Sequence, residues 1–212
     1  MNVGRALYNV NSYPAAMAST NVSPPTARDV ARGQVLDAAR RCFLRDGLRA
    51  NTMEDIARAA QTSRQTVYKY FSGRRELIEA AIAARIAELA DDILAHNWST
   101  MTLVEAFVAR TAAIVQSIRD DQELGVLLGD GSPLTLHEAL WQPSVRQRGL
   151  TDWRPWLREA RRTGLIRGDV TDDDLYDWLQ TVLTSVILRP DPDPTHERML
   201  VETFLLKSLS DR

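Results

Sequence analysis

The sequence predicts an all-α fold in which an N-terminal unit of three helices precedes a larger helical region. Along most of the chain, apolar residues recur at spacings of three and four, which is the period of a half-buried helix. Helix-start and helix-stop signals interrupt this pattern at intervals of a typical helix length. No segment shows the alternation of apolar and polar residues that predicts a strand.

The composition is that of an ordinary globular protein, with 44% hydrophobic and 25% charged residues in 212. No apolar run approaches the roughly 18 residues that a membrane span needs. The single cysteine, Cys42, excludes an internal disulfide framework and lies on an apolar helix face, so we expect it in the core. We therefore expect a soluble cytoplasmic protein without a membrane partner.

The first 26 residues are rich in Asn, Ser, Ala and Pro and show no helical period. They end in Ser23-Pro24-Pro25, and this composition favours a disordered extension over residues 1–26. Met17 is an alternative to Met1 as the true start of the protein.

Four helices are predicted next. Thr26 with Asp29, and Thr52 with Asp55, have the spacing of capping boxes and begin the first two. Asp46-Gly47 ends the first helix, because glycine readily adopts the left-handed conformation found after helix ends. Ser63 caps a third short helix that runs to Phe71. After Ser72-Gly73 a longer helix, apolar on one face, extends to about residue 96.

The remaining sequence predicts six more helices. One of them is expected to begin at Thr151-Asp152, with Pro155 in its first turn and Gly164 at its end. Another begins at Thr171, where three acids suit the positive end of the helix dipole. The six predicted ranges are 103–118, 121–128, 134–141, 151–164, 171–188 and 195–209.

Charge divides the chain into two parts. Residues 28–75 contain 11 Arg and Lys against 5 Asp and Glu, a net charge of +6. Residues 76–212 contain 14 against 23, a net charge of −9. A basic block in front of an acidic one favours a polyanion-binding role for the first part, although such asymmetry also arises by chance.

Residues 52–71 have the pattern of a helix-turn-helix, in which two short helices joined by a tight turn pack on a longer one and the second enters the DNA major groove. At 100° per residue, Val67 and Phe71 fall on the same side of this second helix and are expected to face inward. Gln65 and Lys69 lie on the opposite side, with Thr66 and Tyr68 beside them.

Three stretches resemble the amino-terminal domain of TetR-family regulators, which are similar to the tetracycline repressor. They are Thr52–Ala60, Ser63–Phe71 and Arg75–Leu77. The carboxy half resembles the family's regulatory domain more loosely, at Gly164–Arg167 and in the last helices. The resemblance implies a DNA-binding domain at 27–75 and an effector-binding and dimerisation domain at 76–212.

The resemblance also implies roles for individual residues. Arg64 would bind guanine and Gln65 adenine, both through paired hydrogen bonds. Lys69 would reach a base edge or a phosphate. The other implied DNA contacts, mainly with phosphate, are Thr52, Thr66, Tyr68, Tyr70 and Arg74.

Each contact has a structural alternative. Thr52 could serve only as a helix cap, Arg74 and Arg75 as a solvated edge, and Tyr68 as a partly packed ring. Arg64 and Gln65 would face outward by apolar periodicity alone.

The sequence offers little support for an enzyme. Its three histidines, His96, His137 and His196, lie far apart and lack partners at metal-ligand spacing. Asp172, Asp173 and Asp174 are adjacent, but a helix start explains them. We expect no catalytic site, no cofactor and no bound metal.

All five tryptophans lie after the helix-turn-helix pattern. The family binds small effectors between the helices of this region, and aromatic residues often line such pockets. Phe107, Trp141, Trp156 and Trp178 are therefore our candidates for lining an effector pocket, with a filled helical core as the alternative. We expect an apolar or aromatic effector, and the acidic region leaves a cationic one open.

Two apolar stripes near the carboxy end predict a homodimer interface, since the family pairs its last two helices into a four-helix bundle. Packing within one chain is the alternative. A dimer would bind a palindromic operator. An effector would tilt the helix at 77–95 and so release the dimer from the operator. Two alternatives remain open: a DNA-binding regulator that has no small-molecule effector, and a transcriptional activator. The stripes comprise Leu179, Val182, Leu183, Val186, Leu200, Phe204 and Leu205.

Overall fold

The computed structural model describes residues 26–210, and within this range every regular element is a helix. The all-α prediction is confirmed. The predicted extension, apart from Thr26, and the alternative start at Met17 lie outside the described residues. No helix within residues 26–210 is long and apolar enough to cross a membrane.

The first three helices begin at their predicted capping residues, whereas the fourth follows Gly73 without a side-chain cap. Thr26 and Asp29 form a capping box, as do Thr52 and Asp55, so their side chains satisfy the backbone N–H groups of the cap residue and of the third helical residue. Gly47 follows the first helix with φ of 81°, a conformation that glycine adopts without strain. The helices are α1 (Ala27–Asp46), α2 (Met53–Ala59), α3 (Arg64–Tyr70) and α4 (Arg74–Ala95).

The core of this first unit is shared with the start of α4. Phe43 of α1, Ile56 of α2 and Val67 of α3 are fully buried, and so are Leu77 and Ile82 of α4. The first half of α4 therefore belongs to the same core as the helix-turn-helix. The predicted boundary at residue 75 lies within the first turn of α4.

The second half of α4 packs against the later helices. It contacts α5, α6 and α8, and α9 packs on α5 and α8. A π-helical turn interrupts the last helical segment. The later elements are α5 (Leu103–Asp120), α6 (Gln122–Leu127), α7 (Leu136–Leu140), α8 (Pro143–Arg162), α9 (Asp172–Ile187), α10 (Pro194–Leu200), the π turn (Val201–Leu205) and α11 (Leu206–Ser208).

The prediction for α8 was wrong at its start. The helix begins eight residues earlier than predicted, at Pro143, a position where the missing N–H of proline costs nothing. Pro155 lies inside the helix rather than in its first turn. Gly164 follows the last turn with φ of 71°, close to the predicted end. Tertiary packing thus maintains a helix across a proline that, from sequence, indicated a helix start.

Five charged side chains join α1, α4 and α6; we call them the ionic cluster. Arg40 of α1 donates to Glu88 of α4 at 2.7 Å and to Glu123 of α6 at 2.6 Å. Arg85 of α4 donates to Asp121, the residue that caps α6, at 2.6 Å. Arg40 is 13% and Glu123 15% exposed, so the bond between them is largely shielded from solvent, whereas the Glu88 side chain is 44% exposed.

Candidate functional site

The outward face of α3 has four polar or charged side chains that we call the reading face: Arg64, Gln65, Tyr68 and Lys69. All four are exposed, whereas Val67, on the same helix, is fully buried. The inward and outward sides thus fall where the helical period predicts. A helix presented in this way can insert into the DNA major groove.

Arg64 and Tyr68 are placed to act together. The Arg64 guanidinium carbon lies 5.5 Å from the centre of the Tyr68 ring, a cation–π distance. A hydrogen bond with Tyr68 raises the pKa of Arg64. Tyr68 is 41% exposed, so its hydroxyl remains accessible from solvent. The pair offers a guanidinium and a phenol on one turn of helix.

The structure places two other predicted contacts at the edge of this face. Tyr70 is partly buried and packs against the core, and the Lys69 ammonium lies 5.8 Å from its ring centre. The Thr66 hydroxyl lies 2.9 Å from that of Ser63, the residue that caps α3. Thr66 and Tyr70 are therefore less exposed than Arg64 or Lys69.

Thr52 and Arg74 meet at the loop before α2. Thr52 is exposed, and its hydroxyl donates to Asp55 at 2.6 Å within the capping box. Arg74 is half-buried and donates to the main-chain carbonyls of Leu48 and Asn51. Arg74 therefore links the start of α4 to this loop, an internal role that the phosphate-contact prediction did not include.

A cavity of about 240 Å³ lies between α4, α5, α8 and α9, some distance from the reading face. Much of its wall is aliphatic, from Ile86 and Ile93 of α4, Ile114 of α5 and Leu183 of α9. A concave space with largely apolar walls is typical of small-molecule pockets.

Polar and charged side chains in the wall are concentrated where α5 and α8 meet. Arg110 is 2% exposed, its guanidinium carbon lies 4.1 Å from the Trp153 ring centre, and it donates to the Asp152 carbonyl at 3.4 Å. Arg148 donates to both carboxylate oxygens of Asp152, at 2.9 and 2.8 Å. The Tyr176 hydroxyl donates to Gln180 at 2.9 Å.

Comparison with known proteins identifies the family of this chain. Residues 35–81 match the model of bacterial regulatory proteins of the tetR family. A transcriptional regulator from Pseudomonas putida, TtgW, is 37% identical over 122 residues, which span 54% of this chain and 87% of TtgW. The chain belongs to the TetR family.

Two further comparisons cover nearly the whole length of this TetR-family protein. The Mycobacterium tuberculosis regulator Rv1255c is 25% identical over 191 residues, 90% of this chain and 91% of that protein. The transcriptional repressor QsdR from R. erythropolis superposes with a TM-score of 0.64 at 16% identity over 89% of this chain and 98% of QsdR. The fold is therefore that of the TetR family throughout residues 26–210.

Membership fixes the broad function. TetR-family proteins are DNA-binding transcriptional regulators and not enzymes, so this chain is a regulator with a DNA-binding helix-turn-helix. Within residues 26–210, no group of three His, Cys, Asp or Glu side chains could hold a metal ion.

The cavity is not lined by the four aromatic residues that the sequence suggested. Phe107 and Trp156 are fully buried and pack on each other, with ring centres 4.7 Å apart. Trp141 is half-buried beside His137 and outside the wall. Trp178 is 47% exposed on the outer surface, where its indole donates to Ser208 at 2.7 Å. The helical period predicts which rings face inward, but it does not show whether an inward ring fills the core or lines a cavity.

Small residues on α4 provide a signal for the cavity that the tryptophans did not. Ala83, Ala87 and Ala90 all line it, at spacings of four and three along one helix face. Because alanine leaves space that a larger residue would fill, this stripe leaves the void between α4 and its neighbours. Among the tryptophans of the described chain, Trp153 is the one in the wall.

The predicted dimer residues occupy two different places. Leu179 and Leu183 are buried within the chain, and Leu183 lines the cavity. The other five line a shallow outer groove between α9 and the last helical segment, next to Trp178. They are Val182, Val186, Leu200, Phe204 and Leu205. Packing within one chain therefore accounts for part of the two stripes.

Proposed function

We propose that this protein is a transcriptional repressor that binds a palindromic operator as a homodimer and leaves it when a small effector occupies the cavity. Under this proposal residues 27–75 form the DNA-binding domain and residues 76–212 the regulatory domain. The DNA target would place the protein in the cytoplasm.

The observation that carries this proposal is that one helix, α4, belongs to both parts. Leu77, Ile78 and Ile82 pack in the helix-turn-helix core, while Ala83 and Ile86 already line the cavity. Because α4 is continuous from Arg74 to Ala95, a ligand that moves its second half also moves the reading face. Release further requires that the ligand bind the two arrangements with different affinity.

The proposed DNA contacts follow from exposure and charge. Arg64 and Gln65 would read bases, and Lys69 a base edge or a phosphate. Tyr68 would bind phosphate through its hydroxyl, and Thr52 through a helix start that its capping box keeps ordered. Thr66 and Tyr70 would contribute from the edge. Arg74 would act mainly by holding the loop at Leu48–Asn51, with Arg75 the more exposed cation nearby.

The proposed dimer interface is the outer groove of α9 and the π turn. In this groove Phe204 is 62% exposed and Trp178 is 47% exposed. Large apolar side chains grouped on one surface are typical of a protein interface. Pairing this face with a second copy would present two reading faces to the two halves of a palindrome.

The direction of regulation rests on relatives, since activation and repression use the same DNA-binding surface. QsdR is described as a repressor. We extend that direction to this chain.

A reporter experiment tests the proposal. The promoter nearest the protein's own gene is fused to a reporter in cells with and without this gene. We expect higher expression without it, and recovery of repression by the wild type but not by an Arg64→Ala, Gln65→Ala variant. Lower expression without the gene would make the protein an activator. A parallel thermal-shift screen of purified protein against a compound panel tests the effector, and a panel without any stabilising compound would contradict that part.

A further inference from the structure

The cavity has two chemically different ends. At one end, which we call the head-group end, lie Arg110, Arg148, Asp152 and Tyr176. At the other, the tail end, lie Ala83, Ile86, Ile118 and Ile187.

Contacts between helices fix which residues share an end. Arg110 donates to the Asp152 carbonyl, which brings the start of α5 to this part of α8. Tyr176 of α9 packs against the backbone at Gly149, so it lies at the same end. At the tail end, Arg119 donates to the Ile187 carbonyl at 3.1 Å, and Arg85 to Asp121 at 2.6 Å.

The distance between the ends follows from helix geometry. The α4 residues in the wall run from Ala83 to Leu94. At 1.5 Å per residue this is about 16 Å, so the cavity suits an elongated ligand rather than a compact one. The residues that α4 contributes to the wall are all alanine, leucine or isoleucine.

The head-group end favours a negative charge. Among the described lining residues there are two guanidinium groups and one carboxylate. Arg148 is also paired with Asp91, but the Asp91 side chain is 65% exposed, so water screens its charge. Burial raises the pKa of Asp152, which disfavours the charged form of the one carboxylate among the described lining residues. Arg110, at 2% exposure, is the most deeply buried of the charged lining residues.

The aromatic rings of the wall do not offer a site for a cation. The two rings in the wall are Trp153 and Tyr176. The Arg110 guanidinium already lies over the Trp153 ring, at 4.1 Å from its centre. Tyr176 packs against Gly149 and binds Gln180. A cationic ligand would have to displace Arg110 or lie beside it, and the Asp152 carboxylate already binds Arg148.

We infer that the effector is an elongated amphipathic monoanion, with its acidic group beside Arg110 and its apolar body directed along α4 towards the helix-turn-helix. This inference rests on the proposed function, because it names the chemical class that the effector cavity takes. The apolar body would then lie against Ala83 and Ile86, where α4 enters the DNA-binding core.

Three probes of equal chain length test the charge preference: dodecanoate, dodecanol and dodecyltrimethylammonium, each below its micelle concentration. Binding to the full-length wild-type protein is measured by isothermal titration calorimetry. We expect dodecanoate to bind at least about tenfold more tightly than either other probe, because a charge-assisted hydrogen bond to a buried guanidinium favours the acid. Equal affinities, a preference for the ammonium, or no binding of dodecanoate would overturn the inference.

Variants of the charged wall residues test which of them causes the preference for the acid. Arg110→Gln should reduce the ratio of acid to alcohol affinity to less than about threefold, and Arg110→Lys should largely restore it. Arg148→Gln, at a more exposed position, provides the same test if Arg110→Gln does not fold. Thr184→Val is the matched control, since Thr184 lines the wall nearer the tail end. The ratio should be unchanged in this variant. An unchanged ratio in Arg110→Gln, or in Arg148→Gln where that variant replaces it, would overturn the inference.

Footprints with and without dodecanoate separate this inference from the proposed function. If dodecanoate binds with the expected preference but leaves the footprint unchanged, the ligand class is supported and the proposed release from DNA is rejected. If the ligand-free protein protects DNA but does not bind dodecanoate, DNA recognition is supported and the ligand class is rejected.

Discussion

The DNA-binding region and the regulatory region place their polar groups in opposite ways. In α3 the polar side chains point outward and the core behind them is apolar. The regulatory region instead buries Arg110, Gln180 and Thr184 in or beside its cavity. In the described part of residues 27–75, Asn51 is the one buried polar side chain, and it bonds to the carbonyls of Cys42 and Gly47.

This difference shows what each region is built to bind. An outward polar face on a rigid helix recognises a large anionic surface at little cost in desolvation. A buried guanidinium is costly unless a partner compensates it, so it is retained where a specific ligand or fold requires it. The following predictions test this comparison.

The largest effect is expected at the reading face. Replacing Arg64 and Gln65 together by alanine should weaken operator binding by about 2–6 kcal/mol, because each removes a potential paired contact with a base. The melting temperature should not change, since both side chains are exposed. Fluorescence anisotropy with labelled operator measures the affinity. Arg162→Ala, an exposed cation of the acidic region, is the control and should bind normally. Wild-type affinity in the double variant would assign base recognition elsewhere.

The ionic cluster should dominate the stability of the contact between the two regions. Arg40→Met leaves Arg85, at 2.9 and 3.8 Å, as the remaining guanidinium beside Glu88 and Glu123, and we expect a loss of about 2–4 kcal/mol in the free energy of unfolding. Urea denaturation measures it. Arg75→Met removes an exposed pair with Glu79 and should cost less than about 1 kcal/mol. Equal losses in both variants would show that the cluster is not specially shielded.

The same cluster predicts a dependence on pH. Hydrogen bonds from Arg40, opposed in part by burial, lower the pKa of Glu88 below its ordinary value of about 4.5. Its stabilising contribution is therefore complete above the unfolded-state pKa and is lost as the pH falls through the lower folded-state value. Urea midpoints of the wild type should fall more steeply below about pH 4.5 than those of Arg40→Met. Parallel pH profiles would contradict this assignment.

A smaller effect on stability is expected inside the regulatory region. A Cβ at Gly149 would overlap the Tyr176 hydroxyl, so Gly149→Ala should displace this ring from Gln180. We expect a loss of about 1–3 kcal/mol from overpacking, with operator affinity retained at temperatures where the protein is folded. Gly125→Ala is the control, because a Cβ there meets no atom within 4 Å. A Gly149→Ala variant as stable as the control would show that Tyr176 moves freely.

The smallest effect separates a helix cap from a DNA contact. Thr52→Ala and Thr135→Ala both remove a capping-box hydroxyl at the start of a short helix, and each should cost about 1 kcal/mol of stability. Only Thr52→Ala should also weaken operator binding, since Thr135 lies in the regulatory region. Equal operator affinity in the two variants would reduce Thr52 to a cap.

The sequence predicts the DNA-binding region more completely than the regulatory region. Capping boxes at Thr26 and Thr52 and the period of Val67 and Phe71 determine helix starts and the outward face locally. The ionic cluster is different, because it brings Arg40 next to Glu123, 83 residues away in sequence. Local rules do not reach such contacts.

The cavity illustrates the same limit. Whether an inward residue fills a core or lines a void depends on the volume of side chains from other helices. Phe107 and Trp156 fill the space between α5 and α8 and so leave none. Ala83, Ala87 and Ala90 produce the void, although small residues at these positions equally suit close helix packing.

A salt-dependent footprint on DNA around the protein's own gene tests the central claim most directly. We expect a protected segment with two symmetric halves, whose binding constant falls steeply as salt rises, because each phosphate contact releases counterions. The Arg64→Ala, Gln65→Ala variant should leave the same DNA unprotected. Absence of any salt-sensitive protection by the wild type, or protection that is unchanged in this variant, would contradict the account.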